Sequence, residues 1–250
     1  MILKNILILG GTGEGIALAE VLRTLPDIRV ISSLAGRVAN PNLPLGEVRV
    51  GGFGGVTGLA AYLRENGIVA MIDATHPFAR RMGWHAVEAA QAVRIPLLRY
   101  ERSAWAPQAG DNWILVDEWD QAVTILHQSA KRVFLALGRQ ELMPFTALTD
   151  ISFVIRSVEP PDAGIRFADA KIVLARGPFR LDDERALLTA HRIDHIVCKN
   201  SGGGATDAKL QAARELGLPV VMQRRPKRPD VPKVASVAEA LAWVRQLTLV

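Results

Sequence analysis

Short strand-like runs and longer runs with helical spacing alternate along the 250-residue chain. In the first half, strand patterns fall at 6–9, 28–33, 47–50, 68–73 and 95–100, and the first and fourth are apolar enough to be buried on both faces. Helical patterns occupy 16–22, 56–66 and 77–93. Gly67 supplies a stop signal, and Pro77 suits a first helical turn. Residues 101–112 show little periodicity and read as a connection. A second series then begins, with strands at 113–116, 132–137, 152–158, 172–175, 195–199 and 220–223 and helices at 118–129, 140–148, 182–191 and 205–216. This alternation predicts an α/β fold of two Rossmann-like parallel-sheet domains with a cleft between them, spanning 1–112 and 113–250. One pattern cuts across that division. Residues 113–128 and 232–246 are both a short apolar strand followed by an alanine-containing helix, so the last unit is a candidate to pack back across the boundary.

Composition narrows the setting. Hydrophobic residues make up 49% of the chain, enough for a substantial core, and no run approaches the roughly 18 apolar residues of a membrane span. The N-terminal apolar run leads straight into a glycine turn and does not read as a signal peptide. The single cysteine, Cys198, excludes an internal disulfide and suits a reducing, cytoplasmic setting. The net charge is +5, but aromatics reach only 6% and the arginines are scattered, so neither a stacking platform nor a basic helix for nucleic acid is present. A polyanionic cofactor and a polyanionic substrate account for the same charge.

The chemistry centres on the turn after the first strand. Gly10, Gly11, Thr12, Gly13, Glu14 and Gly15 stand between a strand and a helix, where glycines let backbone approach phosphate and the helix N-terminus favours negative charge. The dinucleotide fingerprint is out of step, with Ile16 at the third glycine position and Gly15 one place early. No Lys-Ser or Lys-Thr pair follows, which disfavours a nucleoside triphosphate. At the end of the second strand, where NAD-binding folds carry an acidic residue, Ser33 and Arg37 suit a 2′-phosphate and favour NADP. In the second half, Gly138 and Arg139 stand at one strand end. A second strand, glycine loop and helix places Lys199, Asn200, Ser201 and Gly202 at a mouth fit for carboxylate or phosphate. The competing account is that Asn200 and Ser201 only organise a turn.

Five segments occur in order: Gly10 to Glu14, Ser33 to Arg37, Asp73-Ala74-Thr75-His76-Pro77-Phe78-Ala79, Lys199-Asn200-Ser201-Gly202-Gly203, and Leu216 to Met222 followed by Arg224, Arg225 and Pro226. Together they resemble the precorrin-6A reductase family of cobalamin biosynthesis, over nearly the whole chain. The resemblance implies an oxidoreductase acting on a CH–CH bond. NADPH would give hydride to the C18=C19 bond of precorrin-6A, a tetrapyrrole with many carboxylates, to form precorrin-6B. It further implies that Gly11, Thr12, Gly13, Glu14 and Gly15 meet the pyrophosphate and nearby ribose, that Ser33 and Arg37 meet the 2′-phosphate, and that Thr75, His76 and Phe78 lie near the nicotinamide. Arg139, Lys199, Asn200, Ser201 and Gly202 would hold the substrate, with His76 and Lys199 as candidate proton donors. No metal is implied, and passing contact with neighbouring enzymes of the pathway is expected. Two other functions stay open. A short-chain type oxidoreductase needs Tyr-x-x-x-Lys, but Tyr62 and Tyr100 are followed at that spacing by Asn66 and Ala104. A non-enzymatic NADP sensor would bind cofactor without turnover.

Overall fold

The structure, a computed structural model, describes residues 3–36 and 41–248. The chain forms two compact units. One comprises the residues up to Ser103 together with those from Pro226 onward, and the other is Ala104–Arg225. The division thus falls at 103/104 rather than at 112, and the C-terminal segment belongs to the first unit rather than to the second.

In the first unit, β1 (Lys4–Leu9), β2 (Ile28–Leu34), β3 (Glu47–Val50), β4 (Ile68–Asp73), β5 (Leu97–Tyr100) and β12 (Lys233–Val234) form one sheet in the order β12-β5-β4-β1-β2-β3, with every pairing parallel. This is the doubly wound order of dinucleotide-binding sheets. Successive β1 residues point to opposite faces. Ile6 and Ile8 pack with Leu18, Ala19 and Leu22 of α1 (Gly13–Leu22) and with Ala240 and Val244 of α7 (Val237–Thr248). Leu7 and Leu9 pack with Leu59 and Leu63 of α2 (Gly55–Glu65) and with Ala86 and Ala89 of α3 (Arg80–Val93). A strand covered on both faces is apolar throughout, which is why β1 and β4 read so plainly.

The second unit repeats the plan. It contains β6 (Asn112–Val116), β7 (Arg132–Ala136), β8 (Ser152–Ser157), β9 (Ala170–Leu174), β10 (His195–Lys199) and β11 (Pro219–Gln223), in the order β6-β11-β10-β7-β8-β9 and again all parallel. Helix α4 (Trp119–Ser129) contributes Ala122 and Leu126 to one face, while α5 (Leu181–Ala190) and α6 (Ala208–Glu215) contribute Leu188, Ala212 and Ala213 to the other. Each sheet takes five strands from one continuous stretch. The sixth position is filled in the second unit by the strand that precedes its other five, and in the first by a strand that follows the whole second unit. Residues 113–128 and 232–246, alike in pattern, are these two outer strand–helix pairs.

Three elements differ from expectation. Residues 140–148 form two 3₁₀ turns, Arg139–Glu141 and Met143–Ala147, where Pro144 removes an amide donor from the would-be helix. Helix α3 begins at Arg80, so Pro77 stands in the preceding turn, and α6 begins at Ala208 rather than 205. No described helix is long and apolar enough to cross a membrane.

Candidate active site

In the first sheet β1 and β4 are neighbours, but the chain leaves them toward opposite edges, which opens a crevice beyond their C-terminal ends. The glycine turn after β1 and the 74–79 loop after β4 meet there. Thr12 joins them: its Oγ1 accepts the Gly15 N–H at 3.1 Å as the N-cap of α1 and donates to the Ala74 carbonyl at 2.8 Å. Gly15 lies between the turn and the loop, where a Cβ would stand 3.4 Å from Gly10 Cα and 3.5 Å from Ala74 Cβ, in ordinary contact. Gly11 has φ of 102°, in the left-handed region, and a Cβ on Gly11 or Gly13 would meet no atom within 4 Å. The outer side of the turn is therefore open, and the first-turn N–H groups of α1 have no intrahelical acceptor. These features fit a pyrophosphate. Glu14 would repel one, but its Oε2 accepts Arg102 Nη1 at 2.8 Å, which balances the carboxylate and brings a guanidinium to the turn.

At the ends of β2 and β3, Ser33 is buried and its Oγ accepts Arg49 Nη1 at 3.3 Å. The same guanidinium donates to Gly51 O at 2.5 Å and Gly52 O at 2.7 Å and lies 3.8 Å from the Phe53 ring centroid. A cation is thus held in place at the position where dinucleotide folds meet the adenosine ribose. Arg37, assigned to the 2′-phosphate from sequence, lies outside the described residues.

The 73–79 loop is built on Asp73, whose side chain is fully buried. Its Oδ1 accepts the Thr75 amide at 3.2 Å and the Thr75 hydroxyl at 2.6 Å, so that hydroxyl faces inward. Oδ2 accepts Arg228 Nη2 at 2.5 Å and stands 3.6 Å from Arg99 Nε. Burial first, and then the Arg228 charge, hold the Arg99 guanidinium below the usual arginine range. His76 sits partly buried with its ring tilted against Phe78, centroids 5.8 Å apart, and its Nδ1 accepts the Phe78 N–H at 3.2 Å. In the neutral ring that bond places the proton on Nε2.

In the second unit, β10 holds the place that β4 holds in the first, beside the strand where the winding reverses. The loop after it is clamped from several sides. Asn200 exchanges two bonds with the Trp105 backbone (2.9 and 3.0 Å), Trp105 Nε1 donates to Gly203 O at 2.8 Å, and Arg225 donates to the carbonyls of Asn200 and Ser201 at 3.0 and 3.1 Å. Gly202 and Gly203 adopt φ of 70° and 71°, which favour glycine. Beneath the loop, buried Lys209 lies over the Trp105 ring and donates to Thr206 O. Burial holds its pKa below the ordinary lysine value. Lys199 pairs with Glu141 at 2.7 Å, and the other Glu141 oxygen accepts Trp119 Nε1 at 2.7 Å. Arg139 stands 3.3 Å from Glu159 and 3.4 Å from Asp162. Glu141 thus gives Lys199 an anionic partner from within the second unit.

The structure therefore brings Gly11 to Gly15 together with Thr75, His76 and Phe78 in one unit, and gathers Arg139, Lys199, Asn200, Ser201 and Gly202 near the sheet end of the other. Arg49, Arg102 and Arg228 were missed from sequence. Arg49 and Arg102 were within reach, since each lies at or just after a predicted strand's C-terminal end. Arg228 gave no signal, because its place depends on the return of the C-terminal segment.

Residues 5–245 match the family model described as precorrin-6x reductase CbiJ/CobK. A precorrin-6A reductase of Rhodococcus erythropolis is 48% identical over 247 residues, covering 98% of this chain and 99% of that protein. Its counterpart in Mycobacterium tuberculosis is 47% identical over 246 residues, with 98% and 99% covered. A solved structure of CobK precorrin-6A reductase superposes with a TM-score of 0.92 at 40% identity, covering 98% of this chain and 97% of that one.

Proposed function

The chain belongs to the precorrin-6x reductase family, and from that membership we propose that it reduces precorrin-6A with NADPH, as an oxidoreductase of cobalamin biosynthesis. A nicotinamide cofactor follows from a reductase of this family. The choice of NADPH rests on Ser33 and Arg37 in sequence and on the Arg49 guanidinium anchored over Ser33. When bound, the nicotinamide supplies the hydride that saturates one carbon–carbon double bond of the macrocycle.

This chain's own residues bind, orient and hold a proton. The open glycine turn and the first-turn amides of α1 take the pyrophosphate, with Arg102 offsetting Glu14. The 74–79 loop, tied to that turn by Thr12, receives the nicotinamide end. His76 Nε2–H or the Lys199 ammonium provides the proton, while Arg139, Lys199 and the 200–202 backbone meet substrate carboxylates. The observation that carries this reading is the Thr12 bond to Ala74, which ties the glycine turn to the 74–79 loop and so supports their serving one ligand. Relatives named precorrin-6A reductase share 41–48% identity with the chain, against 25–31% for those named cobalt-precorrin-6A reductase, and this favours the cobalt-free macrocycle.

The test mixes folded protein, precorrin-6A and either NADPH or NADH, and follows loss of the reduced-nicotinamide absorbance band together with the gain of two hydrogens in the product. Turnover is expected with NADPH. Arg49→Gln should raise the KM for NADPH about tenfold, the equivalent of ~1.4 kcal/mol, and leave that for NADH unchanged. Absence of oxidation by the folded protein refutes the activity. Equal losses for both nucleotides refute the assignment of Arg49.

A further inference from the structure

Helix α3 packs its Gly83 against the side chain of a residue 145 positions later in the chain. A Cβ on Gly83 would lie 2.6 Å from Arg228 Nε and 2.7 Å from Nη2, far inside any real contact. Glycine within a helix is about 1 kcal/mol less favourable than alanine. Here its absent side chain makes room for a guanidinium.

That guanidinium is 5% exposed and reaches three oxygens. Nη2 donates to Asp73 Oδ2 at 2.5 Å and to Thr75 Oγ1 at 3.1 Å, and Nη1 donates to Glu101 Oε2 at 2.9 Å. Asp73 and Thr75 define the start of the loop that carries His76 and Phe78. Arg228 itself stands on the segment that re-enters the first unit between Pro226 and β12. Its neighbour Pro229 accepts Arg99 Nη1 at 2.8 Å, and Pro232 accepts the Arg99 amide at 2.8 Å, so the backbone that carries Arg228 is fixed on β5.

We propose that Arg228 is a positioning residue for the nicotinamide-end loop, and that Gly83 is glycine to admit it. The proposal rests on the reading of the 74–79 loop given above. Arg228 acts through Asp73 and Thr75, with no contact to the reacting atoms. Its two-pronged donation holds the Asp73 carboxylate and the Thr75 hydroxyl in the one arrangement that points the following residues at the crevice. A lysine, with a single point charge, would keep the ion pair with Asp73 but lose the simultaneous reach to Glu101.

Two substitutions separate this role from general support of the fold. Gly83→Ala leaves every charge in place and improves helix propensity, yet drives the guanidinium off Asp73. Arg228→Lys keeps the charge and loses the fork. For each, three quantities are measured: kcat with NADPH, the Kd for 2′-phospho-ADP-ribose (the cofactor without its nicotinamide), and the thermal midpoint. Gly83→Ala should lower kcat about tenfold or more and keep the Kd of the fragment within about twofold of the parent, with a lowered thermal midpoint because the buried Asp73 carboxylate loses its Arg228 partner. Arg228→Lys should fall between that variant and the parent in kcat. An unchanged kcat in Gly83→Ala overturns the proposal, as does weakening of the fragment by the same factor as kcat. Should the parent protein bind neither NADPH nor the fragment, the nucleotide reading of the site fails first and this proposal with it.

Discussion

Glu141 is the sharpest test of what Lys199 does. The Lys199 ammonium and a Glu141 oxygen are 2.7 Å apart, with side chains only 15% and 27% exposed. At an effective dielectric of about 20 their Coulomb attraction is about 6 kcal/mol before desolvation. The net value of a charge-assisted hydrogen bond of this kind is ~1.5–3 kcal/mol. A substrate carboxylate that binds Lys199 must displace or share this bond, and it also approaches an existing negative charge. Glu141→Gln removes the charge and keeps one oxygen for the ammonium, while its NH2 cannot accept from Trp119 Nε1, so roughly 1 kcal/mol of competition for Lys199 is removed, or about fivefold in affinity. The KM for precorrin-6A should therefore fall about fivefold, with the Kd of NADPH unchanged, in a steady-state assay of nicotinamide oxidation. Lys199→Met should raise the same KM. A substrate KM that stays constant or rises in folded Glu141→Gln protein refutes Lys199 as a carboxylate holder and, where kcat is also unchanged, leaves the pair as a strut between the 3₁₀ turn and β10. A kcat that falls while KM stays constant assigns the ammonium to proton delivery instead.

Two further outcomes follow from the frame around the site. Arg156 and Glu184, 7% and 2% exposed, form a two-pronged ion pair, with the guanidinium 3.6 Å from the Phe179 ring centroid. Glu184→Gln strands a buried charge and should cost about 3–5 kcal/mol in urea unfolding, and a loss below about 1 kcal/mol would refute the pair as a buried one. Glu239 accepts the amides of Ala235 and Ser236, while Ser236 Oγ accepts the Glu239 amide, a reciprocal cap on α7. These bonds hold its carboxyl below the ordinary carboxylate value. Their contribution is complete above that value and is lost as pH falls through the lowered one. Acid unfolding should therefore begin at a higher pH in the parent than in a chain in which α7 is capped independently of charge, and Glu239→Gln should remove that difference.

The architecture was legible because both sheets are covered on two faces. Buried strands such as 68–73 and 195–199 read as apolar runs, and their helices as periodic ones. The glycine turn was legible as a junction between a strand and a helix, but its tie to the 74–79 loop through Thr12 and Ala74 was not. Residues 140–148 carry helical spacing that one proline overrides locally. The partners of Lys199 and Asp73 were out of reach for a different reason. Glu141 is 58 residues from Lys199 and Arg228 is 155 from Asp73, so only the strand order makes each pair neighbours. Sequence located the charged groups but not which oxygen neutralises which nitrogen.

The placement of β12 and α7 has a consequence for how the protein is made. The second unit is continuous and has all its strands once Arg225 has emerged from the ribosome. The first unit, although begun earlier, then still lacks its outermost strand, the α7 residues that cover Ile6 and Ile8, and Arg228 beneath the 73–79 loop. Maturation therefore runs against the order of synthesis. A nonsense codon shortly after residue 225 would spare the half translated second and disable the half translated first, so the first unit is the one most exposed to C-terminal truncation.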